Sequence, residues 1–219
     1  MKTTSILTLF IFIAATCFAQ TKEFEGRVHY DQSITIHSKE VDSALLHDMF
    51  GGGSVYSYKN GKLRWDVESP LLDYQISDLI NNVHVLKFLA SDSLFKMNYS
   101  KPEKLVSYKL TKNAATICGY ACDKLETILK PEGEAPQYKR TIWFSSQLYN
   151  DPKPFQNLGM YAMNQVMPLI KAVPLAILIE NNFFTLRFTG TKVEAVNLSD
   201  DLFVIDKSLP MSNSMWGIY

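Results

Sequence analysis

The side chains that could carry chemistry are few and scattered. Cys118 and Cys122 lie four residues apart. On a straight strand that spacing spans about 13 Å, beyond the reach of a disulfide. Around a turn at Gly119-Tyr120 the two could meet, and an oxidising compartment would let them pair; the alternative is two small buried thiols. A metal site usually needs four ligands, and no histidine is spaced to join these cysteines. His29 and His37 fall on the polar side of one alternating segment, which predicts solvated rings, while His47 near a helix end and His84 near a strand start have no evident partner. Gly51-Gly52-Gly53 lacks the lysine and serine or threonine of a phosphate loop, Ser54 reads as a strand start, and Asp200-Asp201 read as solvated turn carboxylates. There is no His-Glu-x-x-His, Gly-x-Ser-x-Gly, dinucleotide loop or Cys-x-x-Cys. A reaction needs a positioned acid, base or nucleophile, so the sequence assigns no catalytic residue, no metal and no cofactor, and predicts a protein that is not an enzyme.

Apolar surface is what the chain has in quantity. In Leu175–Phe188, Asn181-Asn182 separates two apolar runs, and asparagine tolerates the left-handed backbone of a two-residue hairpin turn. That turn sets Ile179 opposite Phe184, Ile177 opposite Leu186 and Leu175 opposite Phe188, all on one face. A one-residue slip would scatter them, so the register is well specified. From Asn157 to Ala172, Met160, Met163, Met167 and Ile170 step by helical spacings, with Leu158, Tyr161, Val166 and Leu169 widening the stripe. Pro168 would kink or divide this helix. Methionine fills gaps in cores and also suits surfaces that adapt to varied guests. Two readings follow: a closed core, or an apolar cavity with a sheet wall of Tyr56, Tyr58, Trp65, Ile177, Ile179, Phe184 and Leu186 and a lid of Met160, Met163, Met167 and Ile170.

The remaining segments supply the frame for these residues. Phe24–Ile36 alternates cleanly, with Phe24, Val28, Tyr30, Ile34 and Ile36 on one side, as a half-buried antiparallel strand does. Ser38–Phe50 is a helix candidate, capped by Ser38 and ended by the glycines. Asn60-Gly61 is a strong hairpin turn that pairs Tyr58 with Leu63, Tyr56 with Trp65 and Ser54 with Val67. Pro70–Asn82 is ambiguous. Val83–Ala90 and Leu94–Tyr99 form a hairpin around Ser91–Ser93, and Leu105–Lys112, Asp123–Lys130, Tyr138–Ser145 and Leu202–Ile205 read as strands. A change in alternation after Phe188 predicts a bulge at Gly190, and Met211, Met215 and Trp216 in the tail should dock on the body.

Residues 1–19 have the pattern of an export signal: Lys2, an apolar run from Ile6 to Ala15, and small residues ending at Ala19. Lipidation at Cys17 is the weaker alternative, because Thr16 and Ala14 make a poor lipobox. Cleavage after Ala19 would remove Lys2 from a chain with 22 basic and 22 acidic residues. The near-neutral remainder offers no footprint for nucleic acid or an anionic membrane surface. No later stretch reaches the roughly 18 apolar residues of a membrane span, and residues 20–219 fit one domain.

Phe24-Glu25-Gly26-Arg27-Val28, Thr116–Cys122, Ile142-Trp143-Phe144-Ser145, Val173-Pro174-Leu175 and Leu202–Ile205 occur in an order that resembles secreted domains of unknown function from Gram-negative bacteria, related in pattern to LolA-like lipoprotein carriers and GLPGLI-type proteins. The glycine-rich GLPGLI signature is absent, since Ala172 and Val173 precede Pro174, and neither Arg64 nor Arg187 matches the lid arginine of the carriers by motif. The resemblance implies an α+β fold, a curved antiparallel half-barrel around helices, and an interior suited to acyl chains. It further implies export to the periplasm or outer-membrane periphery. The expected function is non-catalytic binding of a lipid or lipoprotein; the alternative is a structural or protein-partner-binding envelope module with a closed core.

Overall fold

The computed structural model describes residues 22–213, so the segment expected to be an export signal, with Cys17, and the tail residues Met215 and Trp216 lie outside the described residues. In chain order the elements are β1 (Gly26–Ile36), α1 (Ser43–Phe50), β2 (Gly53–Lys59), β3 (Lys62–Val67), β4 (Leu72–Asp78), β5 (Val83–Phe88), β6 (Leu94–Lys96), β7 (Lys104–Ile117), β8 (Tyr120–Lys130), β9 (Tyr138–Tyr149), α2 (Met163–Ile170), β10 (Ala172–Glu180), β11 (Phe184–Ala195) and β12 (Met211–Asn213). All twelve strands belong to one open sheet, ordered β12-β6-β5-β4-β3-β2-β1-β11-β10-β9-β8-β7. Two meanders, β1 to β6 and β7 to β11, are joined side by side where β1 pairs antiparallel with β11. β12, in the tail expected to dock, adds in parallel beside β6. The α+β class and the antiparallel sheet therefore hold.

The sheet bends around its contents. Gln75 on β4 and Arg140 on β9 face one interior space, yet six strand spacings separate them, about 29 Å if the sheet were flat. Two apolar clusters fill most of that interior. One gathers Val28, Tyr30, Tyr58, Trp65, Val173, Leu175, Leu186 and Phe188; the other sets Leu125, Leu129, Ile142 and Phe144 against Met163, Val166, Met167 and Ile170 of α2.

The Asn60-Gly61 hairpin forms as expected, pairing Tyr58 with Leu63, Tyr56 with Trp65 and Ser54 with Val67. Both turn residues are left-handed, with φ of 46° and 68°, which a two-residue turn of matching twist requires. The Asn181-Asn182 hairpin differs. Ile179 pairs with Leu186 and Ile177 with Phe188, a register two residues off the expectation. Asn181 acts through its side chain: Oδ1 accepts from the backbone N–H of Phe183 and Phe184, each at 2.8 Å. This Asx turn makes a wider loop. Because two is the side-chain period of a strand, the same residues still face inward.

Other expectations are corrected by local capping. The helix begins at Ser43, not Ser38, because Asp42 Oδ1 accepts from Leu45 N at 3.0 Å, while Ser38 Oγ accepts from Glu40 N in a local turn. Leu202–Ile205 is not a strand: Ser199 caps a 3₁₀ turn over Asp200–Phe203 that buries Phe203. The ambiguous Pro70–Asn82 holds β4, and β7 and β9 run longer than expected. The Asn157–Ala172 segment is divided at Tyr161 and Ala162, both left-handed, and not at Pro168, which sits inside α2. Proline there removes one intrahelical bond, while the short helix continues and buries Met163, Val166, Met167 and Ile170; Leu169, expected to widen the stripe, is exposed. The bulge falls next to Gly190: pairing jumps from His29–Lys192 to Tyr30–Gly190, leaving Thr191 as the extra residue.

A Cβ at Gly190 would lie 2.5 Å from the carbonyl oxygen of Leu175, whereas one at Gly52 would meet nothing within 4 Å. Gly190→Ala is therefore expected to lower the unfolding free energy by about 1–3 kcal/mol, as overpacking does. Gly52→Ala should leave it within about 0.5 kcal/mol; urea unfolding of both variants checks the contrast.

Candidate functional site

Where the two clusters meet, the sheet and α2 enclose a cavity of about 180 Å³. Its sheet wall is an aromatic array. Tyr56 stacks on Trp65 with centroids 5.7 Å apart and lies 6.2 Å from Tyr58, and Tyr30 meets Tyr56 edge-on at 5.5 Å. The alternation of β1, β2 and β3 points these rings to one side, and the Asn60-Gly61 turn brings Tyr56 and Trp65 into register. Ile177, Ile179, Leu186 and Phe188 continue the wall from β10 and β11, and Met160, Tyr161, Met163 and Met167 cover it from the helical side.

Of the sheet residues expected at the wall, Tyr56, Tyr58, Trp65, Ile177, Ile179 and Leu186 line the cavity; Phe184 does not, because it sits at the hairpin end opposite Ile36. Of the expected lid, Met160, Met163 and Met167 line it, while Ile170 turns away into the second cluster. Between the two packed clusters the interior leaves this volume open.

The polar lining was not legible as a set. Tyr99 on the segment after β6 donates to Gln75 Oε1 at 3.1 Å, and Gln75 Nε2 donates to Ser77 Oγ at 3.2 Å. Tyr30 donates to the Pro174 carbonyl at 2.5 Å. Burial raises the pKa of Tyr30, Tyr56, Tyr58, Tyr99 and Tyr161, so these phenols stay protonated at neutral pH. The Trp65 Nε1 is buried without a partner.

Among the described residues Arg140 is the one charged side chain on the lining, with no histidine, lysine, cysteine or carboxylate beside it there. It is only 3% exposed. Its Nη1 donates to the Tyr161 carbonyl at 3.2 Å and lies 3.1 Å from Met163 Sδ, and its guanidinium sits 5.2 Å from the centre of the Tyr161 ring. Nε has no partner. Burial lowers the pKa of Arg140, while the surrounding tyrosines and Glu103 pull it up, and a guanidinium remains charged all the same. A signal was present: period-two alternation puts Arg140 on the same side as Ile142 and Phe144, a cation in an inward strand position.

The cysteines lie away from the cavity lining, and both are free thiols. The turn is Cys118-Gly119, with φ of 50° and 81°, not Gly119-Tyr120. Cys122 instead points into the first cluster, its thiol donating to the Tyr120 carbonyl. Burial raises both thiol pKa values. His29 of β1 lies 2.9 Å from Glu194, and His37, exposed just past the end of β1, lies 2.8 Å from Thr185 Oγ1.

No protein-family model matches the chain, and no curated protein matches it. Among the described residues no helix is long and apolar enough to cross a membrane.

His84 buttresses the cavity from behind, its ring 4.8 Å from that of Tyr99. Burial pushes its pKa down to about 4, against the opposing charge of Asp78. The unfolded chain therefore takes up the proton first, and stability present above pH 6.5 is lost as the pH falls toward 4. The difference in unfolding free energy between wild type and His84→Gln should change over that window by up to about 3 kcal/mol. A flat difference profile would show that His84 contributes nothing to the acid response.

Proposed function

We propose that this is a non-catalytic binding protein for apolar molecules, exported to the cell envelope, with the cavity between the aromatic wall and α2 as its site. The observation that carries this reading is the cavity itself: rings and aliphatic chains from β1, β2, β3, β10 and β11 surround an open volume of about 180 Å³ instead of interlocking. The LolA-like half-barrel and the acyl-chain or lipoprotein ligand belong to this proposal as its finer form.

The volume constrains the guest. An apolar cavity of about 150 Å³ holds a molecule the size of benzene, so the cavity as it stands takes a short hydrocarbon segment. A whole acyl chain requires α2 to move. Non-glycine residues in left-handed conformation flank that helix on both sides, Tyr161 and Ala162 before it and Lys171 after it. These are the places where its connections would change. A partner-binding envelope module is the second reading. It draws on the outer strand β7, where Val106, Tyr108 and Leu110 are exposed, and it needs no occupied cavity.

A homologous series of n-alkanols, titrated calorimetrically into the protein, tests the reading. Affinity should rise about fourfold per methylene, from roughly 0.8 kcal/mol per buried CH₂, until the cavity is full. Met163→Glu should abolish the uptake, and Ile179→Phe should cut it off at a shorter chain. Absence of binding throughout the series, or affinity independent of chain length, would overturn the proposal in favour of the β7 reading.

A further inference from the structure

We infer that the cavity selects guests with an oxyanion head, a carboxylate or phosphate joined to a short apolar segment, and that Arg140 is the residue that receives it. This rests on the proposed binding role of the cavity and adds the ligand's polar end.

A buried guanidinium is normally accompanied by a carboxylate, because desolvation of an isolated charge costs several kcal/mol. Arg140 has none. Among the described residues no carboxylate lies within ion-pairing distance of it. Glu103, the acidic group whose field reaches it, accepts a hydrogen bond from Tyr138 instead. What Arg140 does have is a carbonyl and a thioether at Nη1, and the Tyr161 ring 5.2 Å from its Cζ. That leaves Nε, one donor of the Nε–Nη2 edge, buried and unpartnered on a cavity-lining side chain. This edge presents two parallel N–H groups, the fork that binds a carboxylate or phosphate with two hydrogen bonds.

The surroundings favour an anion over a second cation or a neutral polar group. Among the described residues the lining carries no other charge, and Arg140 is buried without an ion-pair partner, in a low-dielectric setting where electrostatic attraction is strong. Aromatic and aliphatic side chains around it would take the apolar part, so the recognised molecule is an amphiphile. Arg140 is fixed from behind as well: Thr127 Oγ1 donates to its backbone carbonyl at 2.9 Å, and its neighbours in register are Thr127 on β8 and Ile179 on β10. The head would be received from a rigid strand position.

The test compares n-alkanoates, n-alkyl phosphates and n-alkanols of equal chain length, below their micelle concentrations, by titration calorimetry with wild-type protein and with Arg140→Met. Wild type should bind at least one anionic series tenfold or more tightly than the alkanols. Arg140→Met should lose that preference, its ratio of anion to alkanol affinity falling to about one whatever its absolute affinity for the alkanols. A preference confined to alkanoates assigns a carboxylate head, and one confined to alkyl phosphates a phosphate head; each supports the inference. Equal affinity for anions and alkanols, or a preference that survives Arg140→Met, overturns the inference while leaving the apolar-binding reading intact. Failure of every series to bind overturns both. If Arg140→Met does not fold, the wild-type comparison across the series still decides: equal affinity for acid and alcohol rejects the assignment.

Discussion

The pairing of β1 with β11 is the constraint on which the architecture depends. Each meander forms from neighbours in sequence, but this seam joins Gly26 to Ala195 and runs through eleven paired positions to Ile36 and Phe184. Without it the sheet is two separate meanders. The cavity wall exists only across the seam: Tyr30 comes from β1, Leu186 and Phe188 from β11, and the Tyr56–Trp65 stack rides on β2 and β3 beside it. The loop-closure entropy of so distant a pairing is offset only after both meanders have largely formed. The seam is therefore expected to close late in folding, and the cavity to appear with it.

A larger side chain at Met163 or Ile179 could take up much of the volume of about 180 Å³ between sheet and helix. The aromatic stack resists simple collapse, because Tyr56, Tyr58 and Trp65 are held in register by the hairpin and keep their faces nearly parallel. On the helical side, two successive left-handed residues set the path of the chain into α2 at about 1–2 kcal/mol each. Sheet and helix are thus each fixed by local geometry that does not minimise the space between them.

The sequence was most legible where one residue type has one structural solution. Asn60-Gly61 demanded a left-handed two-residue turn, and the entire register of β2 and β3 followed from it. Asn181 was legible only in part, since asparagine can supply either a left-handed backbone or a side-chain acceptor, and here the acceptor wins. The inward faces nevertheless survived, because an even register error preserves the alternation. Capping decided the misread ends: Asp42 and Ser199 capture nearby N–H groups that the apolar pattern does not reveal. The methionine stripe was visible as a helical stripe, yet the division at Tyr161-Ala162 was not, because no glycine or proline marks it. Arg140 was in view as an inward strand residue, but its lack of a partner is a property of the folded interior, and single-strand periodicity carries no information about that.

Arg140 also binds the two sides of the cavity to each other. Its backbone belongs to β9, paired on both edges, while its Nη1 holds the carbonyl of Tyr161, the first of the two left-handed residues before α2. That carbonyl lies in the short 3₁₀ turn Met160–Ala162 that leads into α2. A neutral donor would satisfy the carbonyl equally well and would avoid the desolvation of a charge. The guanidinium does two things a neutral donor cannot: it stacks its cation on the Tyr161 ring, and it keeps a second donor edge turned away from the backbone contact. A side chain that bridges the sheet and the helical side through one nitrogen while leaving another buried and unpartnered is what the proposed guest would account for, since stability alone would favour a neutral residue of similar volume.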